Sequence, residues 1–349
     1  MNALLTLLLL IPFLLPVALA NVAERERSVR VFLMVYLGIL AGLLLIVGVF
    51  SVLAGVGLGL AGFNALPTAP NQPNPEEAAQ MLAALRNVNW GVAAVVCLIP
   101  GVLALLALVP SVRRAVARVL PIHPDSVVHT TALSMTAVAF GLNLFQLVVL
   151  SPILLTEAVS NSPSLTQGAT YFDILIFPLL VLTIAAVLGV GLYTRRNQTE
   201  VFERLGLSLP TPRQIVTAVF VTVGLLGLSI FTNWAWQQFD PTGFQQVGSL
   251  SEALMGNFTG LAGALAIGLS AAIGEELFFR GAYQPRMGVL LATLLFTTFH
   301  VQYSFSPATL LVFVIGLVLA FLRNKTSTTV CIMVHFLYNF TLVLLASAL

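Results

Sequence analysis

The residues of this chain best suited to do chemistry lie in three short stretches near its C-terminal end. The first is Gly274-Glu-Glu-Leu-Phe-Phe-Arg-Gly281, the second Phe296-Thr-Thr-Phe-His300, and the third His335-Phe-Leu-Tyr-Asn339. On a helix, Glu276 and Arg280 stand four residues apart and share a face, so they can pair. Neighbouring carboxylates point about 100° apart, which turns Glu275 away from that pair and leaves it without a partner in its own helix. One carboxylate is neutralised locally and the other stays free to act as a base. A carboxylate and a histidine converging on one water make a general-base system. His335 and Asn339, again four apart, can donate together to a developing oxyanion. Together these groups could hydrolyse an amide. A Gly-x-Ser-x-Gly nucleophile motif and a His-Glu-x-x-His zinc motif are both absent.

These residues stand where charge is expensive. The chain has 349 residues, 58% of them hydrophobic and 8% charged, against about 25% charged in soluble domains. That composition implies an integral membrane protein. The net charge of +2 gives no sign of a nucleic-acid partner. A spanning helix needs about 20 apolar residues, and about ten stretches qualify or nearly so: 2–22, 31–57, 88–110, 131–155, 171–194, 214–236, 259–281, 287–305, 307–322 and 326–348. The expected fold is all-α, a polytopic transmembrane bundle. The first stretch lacks the basic flank of a signal peptide and reads as a retained membrane helix. The proline-rich interruption 64–87 reads as a loop with a short surface helix at 76–86.

Basic residues mark cytoplasmic loops. With the N-terminus outside, all of the 15 lysines and arginines except Arg86 fall on one side. They include Arg25, Arg27, Arg30, Arg113, Arg114, Arg118, Arg195, Arg196, Arg204, Arg213, Arg286, Arg323 and Lys325, with Arg280 at the inner end of its helix. The outer loops carry Glu76, Glu77, Glu157, Asp240 and Glu252, and Trp90, Trp234 and Trp236 sit near outer boundaries. Residues 205–213, with Pro210 and Pro212, read as a linker. The chain then divides into N-terminal helices 1–205, whose role the sequence does not indicate, and a C-terminal catalytic domain 206–349.

An ionisable group within a span is a functional hypothesis by default. His300 and His335 fall inside apolar spans, whereas His123 and His129 fall in an inner loop and read as solvated. Gly260, Ala264, Gly268 and Ala272 form a small-residue stripe that permits close helix contact and leads to Glu276. Cys97 and Cys331 read as small buried hydrophobes. Asn143 and Gln146 share a face suited to bonding another helix. At about 1.5 Å per residue, Glu275 and His335 lie on the order of 10–15 Å from the inner boundary, compatible with one cavity in the cytoplasmic half.

The ordered trio Glu-Glu-x-x-x-Arg, Phe-x-x-x-His and His-x-x-x-Asn resembles the motifs of the CPBP family. These are the CAAX proteases, bacteriocin-processing enzymes and abortive-infection proteins, similar to the Ras-converting CAAX endopeptidase. The resemblance covers about residues 214–348. It implies a CAAX-protease-like helical core and an intramembrane endopeptidase. Glu275 and His300 would activate water, His335 and Asn339 would hold the oxyanion, and Glu276, Arg280 and Phe296 would support the site. The family is often described as metalloproteases, so Glu275, His300 and His335 are the alternative zinc ligands. The metal-free glutamate mechanism is favoured, because Asn339 is a poor zinc ligand and a natural amide donor. The implied partners are the bilayer and a membrane-embedded or membrane-associated peptide, in a bacterial plasma membrane. Two other readings remain: a non-catalytic scaffold or immunity factor of the same fold, and a transporter, which lacks evident inverted repeats.

Overall fold

A computed structural model describes residues 3–60, 83–154, 172–255 and 258–348. Among these residues there is no β-strand, and the fold is a helix bundle. In chain order the helices are α1 (Ala3–Ala23), α2 (Arg27–Leu60), α3 (Trp90–Leu106), α4 (Pro110–Val116) and α5 (Val127–Leu154). Helix α6 is a π-helical stretch, Phe172–Leu182, continued by Thr183–Gly189. Then follow α7 (Gln198–Leu205), α8 (Pro212–Phe239) and α9 (Pro241–Met255). Helix α10 (Gly260–Glu275) runs into a π-helical segment, Glu276–Tyr283. Helices α11 (Gln284–Thr298), α12 (Pro307–Lys325) and α13 (Thr328–Ala348) complete the bundle.

Each expected span coincides with a helix or a helical arm. Six described helices are long and apolar enough to cross a membrane, and α3 with α4, bent by 101°, makes a seventh. One of the six, Gly260–Thr298, contains two expected spans, which part at Gly288 (φ 78°, ψ 168°). That positive φ is open to glycine without a Cβ penalty. Two further apolar stretches, Leu10–Ala23 on α1 and Leu175–Gly189 on α6, are shorter than these six, so a count of ten is approximate. Residues 83–87 are helical, while the rest of the expected surface helix lies outside the described residues, as do Glu76, Glu77 and Glu157.

The long helices are apolar all round, as helices facing both lipid and protein must be. On α2, Leu33, Leu37, Ala41 and Leu44 are buried, whereas Phe32, Val35, Ile39, Leu43 and Ile46 are exposed on the opposite side. In lipid, helices associate through close packing and interhelical hydrogen bonds rather than apolar transfer. The Ser229 and Tyr338 hydroxyls meet at 2.6 Å between α8 and α13, and those of Thr136 and Tyr283 at 2.7 Å between α5 and the π-helical segment. Cys97 and Cys331 are fully buried among apolar neighbours.

Several loop arginines make structural bonds. Arg113 is buried at the α3–α4 bend, donating from Nε to Pro124 O (2.6 Å) and from Nη1 to Leu108 O (2.7 Å). Arg30 donates to Ala23 O and Glu24 O at the end of α1, and Arg196 to Val190 O just beyond α6. Helix ends leave carbonyls without partners, and these guanidiniums satisfy them. The expected linker is also fixed in place. Gly206 (φ 72°) ends α7, Thr328 N donates to its carbonyl at 3.0 Å, and Ser208 N donates to Thr329 Oγ1 at 3.1 Å. Two sequence expectations change. His129 is half-buried, not solvated, and its Nδ1 accepts from His123 N at 2.8 Å. Trp236 is buried and donates to Asp240 Oδ2, whereas Trp234 is exposed.

Candidate active site

Helix α10 docks by its small residues. Ala264, Gly268 and Ala272 are buried, and a Cβ on Gly268 would stand 3.1 Å from the Phe336 ring of α13. Gly260, at the start of the stripe, has open space around it. At the other end, Gly274 lies directly on α6, where a Cβ would stand 1.6 Å from the Pro178 carbonyl oxygen. That neighbour is backbone and cannot swing away. Gly274→Ala is therefore expected to cost more than the about 1–3 kcal/mol of ordinary overpacking, read as a lowered thermal unfolding midpoint of the purified protein.

The close contact with α6 fixes the next two residues. At Glu276 the helix widens to the π form, a geometry concentrated at functional sites. Glu276 and Arg280 are 0% and 1% exposed, and Arg280 Nε lies 3.3 Å from Glu276 Oε2. The expected i,i+4 pair is therefore present. Arg280 also donates from Nη2 to Gly316 O at 3.2 Å, and its Cζ lies 4.3 Å from the Phe296 ring centroid. A guanidinium over a ring face gains from the ring quadrupole, most when desolvated. Gly316 allows this approach, since a Cβ there would press on Thr293 and Phe296 at 3.0 and 3.1 Å.

Glu276 also reaches across to α13. His335 Nδ1 donates to Glu276 Oε1 at 2.8 Å. The carboxylate accepts, so the proton sits on Nδ1, and Nε2 points the other way. There it faces Glu275, with Nε2 and Oε2 separated by 4.0 Å. That is too long for a hydrogen bond and suits one bridging water. Glu275 is 13% exposed on its side chain, and its Oε2 is buried with no hydrogen-bond partner.

His300 is placed differently from the sequence expectation. It is not within a span 287–305, because α11 stops at Thr298. His300 stands in the break that follows (φ −100°, ψ 51°), before a 3₁₀ turn at Val301–Tyr303 and Ser304 with φ 53°. Its Nδ1 donates to Phe296 O at 3.0 Å, its ring packs on Phe296 at 4.8 Å between centroids, and Tyr303 stacks on it at 6.1 Å. His300 lies within electrostatic range of Glu275, His335 and Arg280. Asn339 is one turn beyond His335 on α13, half-buried, with no hydrogen bond among the described residues.

Thus Glu275, Glu276, Arg280, Phe296, His300 and His335 gather in one place, with Asn339 beside them. The Glu276–His335 bond, the Gly316 carbonyl, the Pro178 contact and Tyr303 were not expected from the sequence. A glycine within the leucine- and valine-rich run of α12 was the available sign of Gly316. His335 Nδ1 is held by Glu276 and His300 Nδ1 by a backbone carbonyl, which leaves each Nε2 as the free nitrogen. Among the described residues no three His, Cys, Asp or Glu side chains are grouped closely enough to hold a metal.

Residues 256–341 match the family model for Rce1-like proteins, described as type II CAAX prenyl endopeptidase Rce1-like. The matched segment contains all seven candidate residues and about a quarter of the chain. No curated protein and no solved structure matches the chain. This C-terminal segment, inside a multi-pass bundle of apolar helices, is thus similar to the CAAX protease family.

Proposed function

We propose that this protein is an intramembrane endopeptidase that cuts a peptide bond of a membrane-associated substrate, with Glu275 as the base. The observation that carries this reading is the buried, unpartnered Glu275 Oε2, 4.0 Å from a histidine whose other nitrogen is already held by Glu276. Glu275, assisted by His300, takes a proton from water as the water oxygen bonds to the carbonyl carbon. Charge moves onto the carbonyl oxygen, where Asn339 Nδ2 and a protonated His335 Nε2 donate to it. Collapse breaks the C–N bond, and the proton held by Glu275 passes to the leaving amine. Glu276 balances charge on His335 and is itself balanced by Arg280. Phe296 carries Arg280 over its ring and packs on His300, which ties the supporting groups to the reacting ones.

In this reading the domain that works is 206–349, and its cavity opens toward the cytoplasmic half of a bacterial plasma membrane. The water is activated by carboxylate rather than by zinc. The test is proteolysis of a membrane-anchored peptide by reconstituted protein, with products identified by mass spectrometry. Cleavage is expected to persist at the same rate after exhaustive chelation. Loss of cleavage on chelation, with recovery on adding zinc, would replace the metal-free mechanism by the alternative ligand set Glu275, His300 and His335.

A further inference from the structure

A second cavity lies between the N-terminal helices and the catalytic segment, with a volume of about 820 Å³. None of Glu275, His300, His335 or Asn339 lines it. A layer of aromatic rings separates it from them. Phe299 faces the cavity and packs on Phe279 at 5.5 Å, and Phe279 packs in turn on Phe296 at 5.3 Å. The volume falls within the about 300–1,000 Å³ of small-molecule sites.

The cavity has a charged end and an apolar body. Leu10, Leu14, Val17, Met135, Ala139 and Val181 are among the residues of the body. Its lining runs along one face of α1 from Leu10 to Asn21, with Glu24 just beyond the helix end, about 17 Å of helix at 1.5 Å per residue. That exceeds the about 15 Å of one leaflet's hydrocarbon, half of a 30 Å core. At the other end stand Arg195, Arg196, Arg204 and Arg286. The acidic groups facing the cavity there are Glu24 and Asp125, together with His123 and His129. Glu24 is already engaged, accepting from Ser126 Oγ at 2.6 Å and Val128 N at 3.2 Å.

Of the four arginines, Arg195 alone has a carboxylate within ion-pair distance among the described residues, Glu24 at 3.8 Å. Glu200 and Glu203 border the same arginines on the outer side, but Glu200 is used in the cap of α7, accepting from Asn197 N. Arg204 is partly satisfied by Gly281 O and Ala282 O. Arg286 makes no hydrogen bond or ion pair among the described residues. Burial pushes the Arg204 guanidinium down to about 10, and Arg286, Arg196 and Arg323 push the same way by repulsion. Like charges gathered at the mouth of an apolar channel favour a ligand that brings anionic charge at one end and hydrocarbon at the other. Basic pockets between membrane helices are known to take anionic headgroups.

We propose that this cavity binds an anionic phospholipid, with its phosphate among Arg286, Arg204, Arg196 and Arg195 and one acyl chain along α1, α5 and α6. The site is separate from the proposed catalysis, and a lipid there would brace the N-terminal helices against the wall behind Phe296.

The test uses purified full-length protein in a neutral detergent, with native mass spectrometry and thermal unfolding as readouts. The probes are phosphatidylglycerol, phosphatidylcholine with the same chains, and inorganic phosphate. Phosphatidylglycerol is expected to be retained and to raise the unfolding midpoint, while the other two give little retention or shift. Arg286→Gln, which removes no internal bond, is expected to weaken phosphatidylglycerol binding about fivefold. Ala139→Trp, which fills the body, is expected to weaken binding of both lipids. Glu275→Gln is expected to bind like wild type, which keeps this test apart from that of the protease. Equal retention of the two lipids, the same shift from phosphate alone, or unchanged binding by Arg286→Gln would overturn the proposal. If a variant fails to fold, the lipid comparison on the wild-type protein still decides.

Discussion

Glu275→Gln is expected to lower the rate of peptide cleavage by about 10²–10⁴-fold, the contribution of a positioned general base, with little change in stability. The substitution keeps shape and removes basicity. Its structural cost is small because Glu275 Oε2 has no hydrogen-bond partner to lose and stands 4.0 Å from His335 Nε2. The neighbouring Glu276 gives the contrast within one turn of chain. That carboxylate holds both His335 and Arg280, so its loss damages the fold as well as the rate. Initial rates on a bilayer-anchored peptide, beside unfolding midpoints for wild type and variant, check the point. A Glu275→Gln protein that cuts at the wild-type rate would remove Glu275 from the reaction.

Much of this arrangement was legible in the chain because it is local. The apolar runs are long enough to announce helices, and the spacing of Glu276 and Arg280 alone predicts their pairing. The separation of roles between Glu275 and Glu276 follows from the same 100° step. What could not be read is the contact between Glu276 and His335, 59 residues apart in sequence. It depends on how α10 meets α13, through Gly268 against Phe336, and on the π-helical segment that begins at Glu276. Periodicity assumes 3.6 residues per turn and carries no sign of a wider turn.

The ending of α11 was hidden for another reason. Phe296-Thr-Thr-Phe-His300 is apolar enough to continue a span, and at the break the His300 side chain bonds Phe296 O and stacks on Tyr303, local contacts that hydropathy does not register. The arginines illustrate one residue type serving two ends. Their expected placement on one side follows from the charge rule, whereas their bonds to carbonyls at the ends of α1 and α6 and at the α3–α4 bend depend on where those elements stop, the least readable feature of a helix.

The buried pair should dominate stability. Arg280→Ala is expected to destabilise the protein by about 3–5 kcal/mol, the cost of leaving one charge of a buried pair uncompensated, and Glu276→Ala by a similar amount. Both groups are sealed from solvent, at 1% and 0% exposure. Removing the guanidinium leaves a buried carboxylate with only His335 to neutralise it, and it strips Phe296 and Gly316 O of their cationic neighbour. Removing the carboxylate instead leaves Arg280 facing one carbonyl and a ring, and frees His335 to turn. The two partners are not independent, so the double variant Glu276→Gln with Arg280→Met is expected to be more stable than either single alanine variant. A neutral amide still accepts from His335 Nδ1, and the thioether fills the space beside Phe296 without needing a counter-charge. Unfolding midpoints for the three proteins decide the matter, and a double variant less stable than both single variants would overturn the expectation. Activity separates the two jobs of the pair. If Glu276 serves only to hold the fold, the double variant cleaves at a near wild-type rate. If its charge is needed to hold a proton on His335 while the oxyanion forms, the double variant stays folded and loses rate. The second outcome is the expected one, because Glu276 Oε1 is the direct acceptor from His335 Nδ1 and a neutral amide cannot balance an imidazolium.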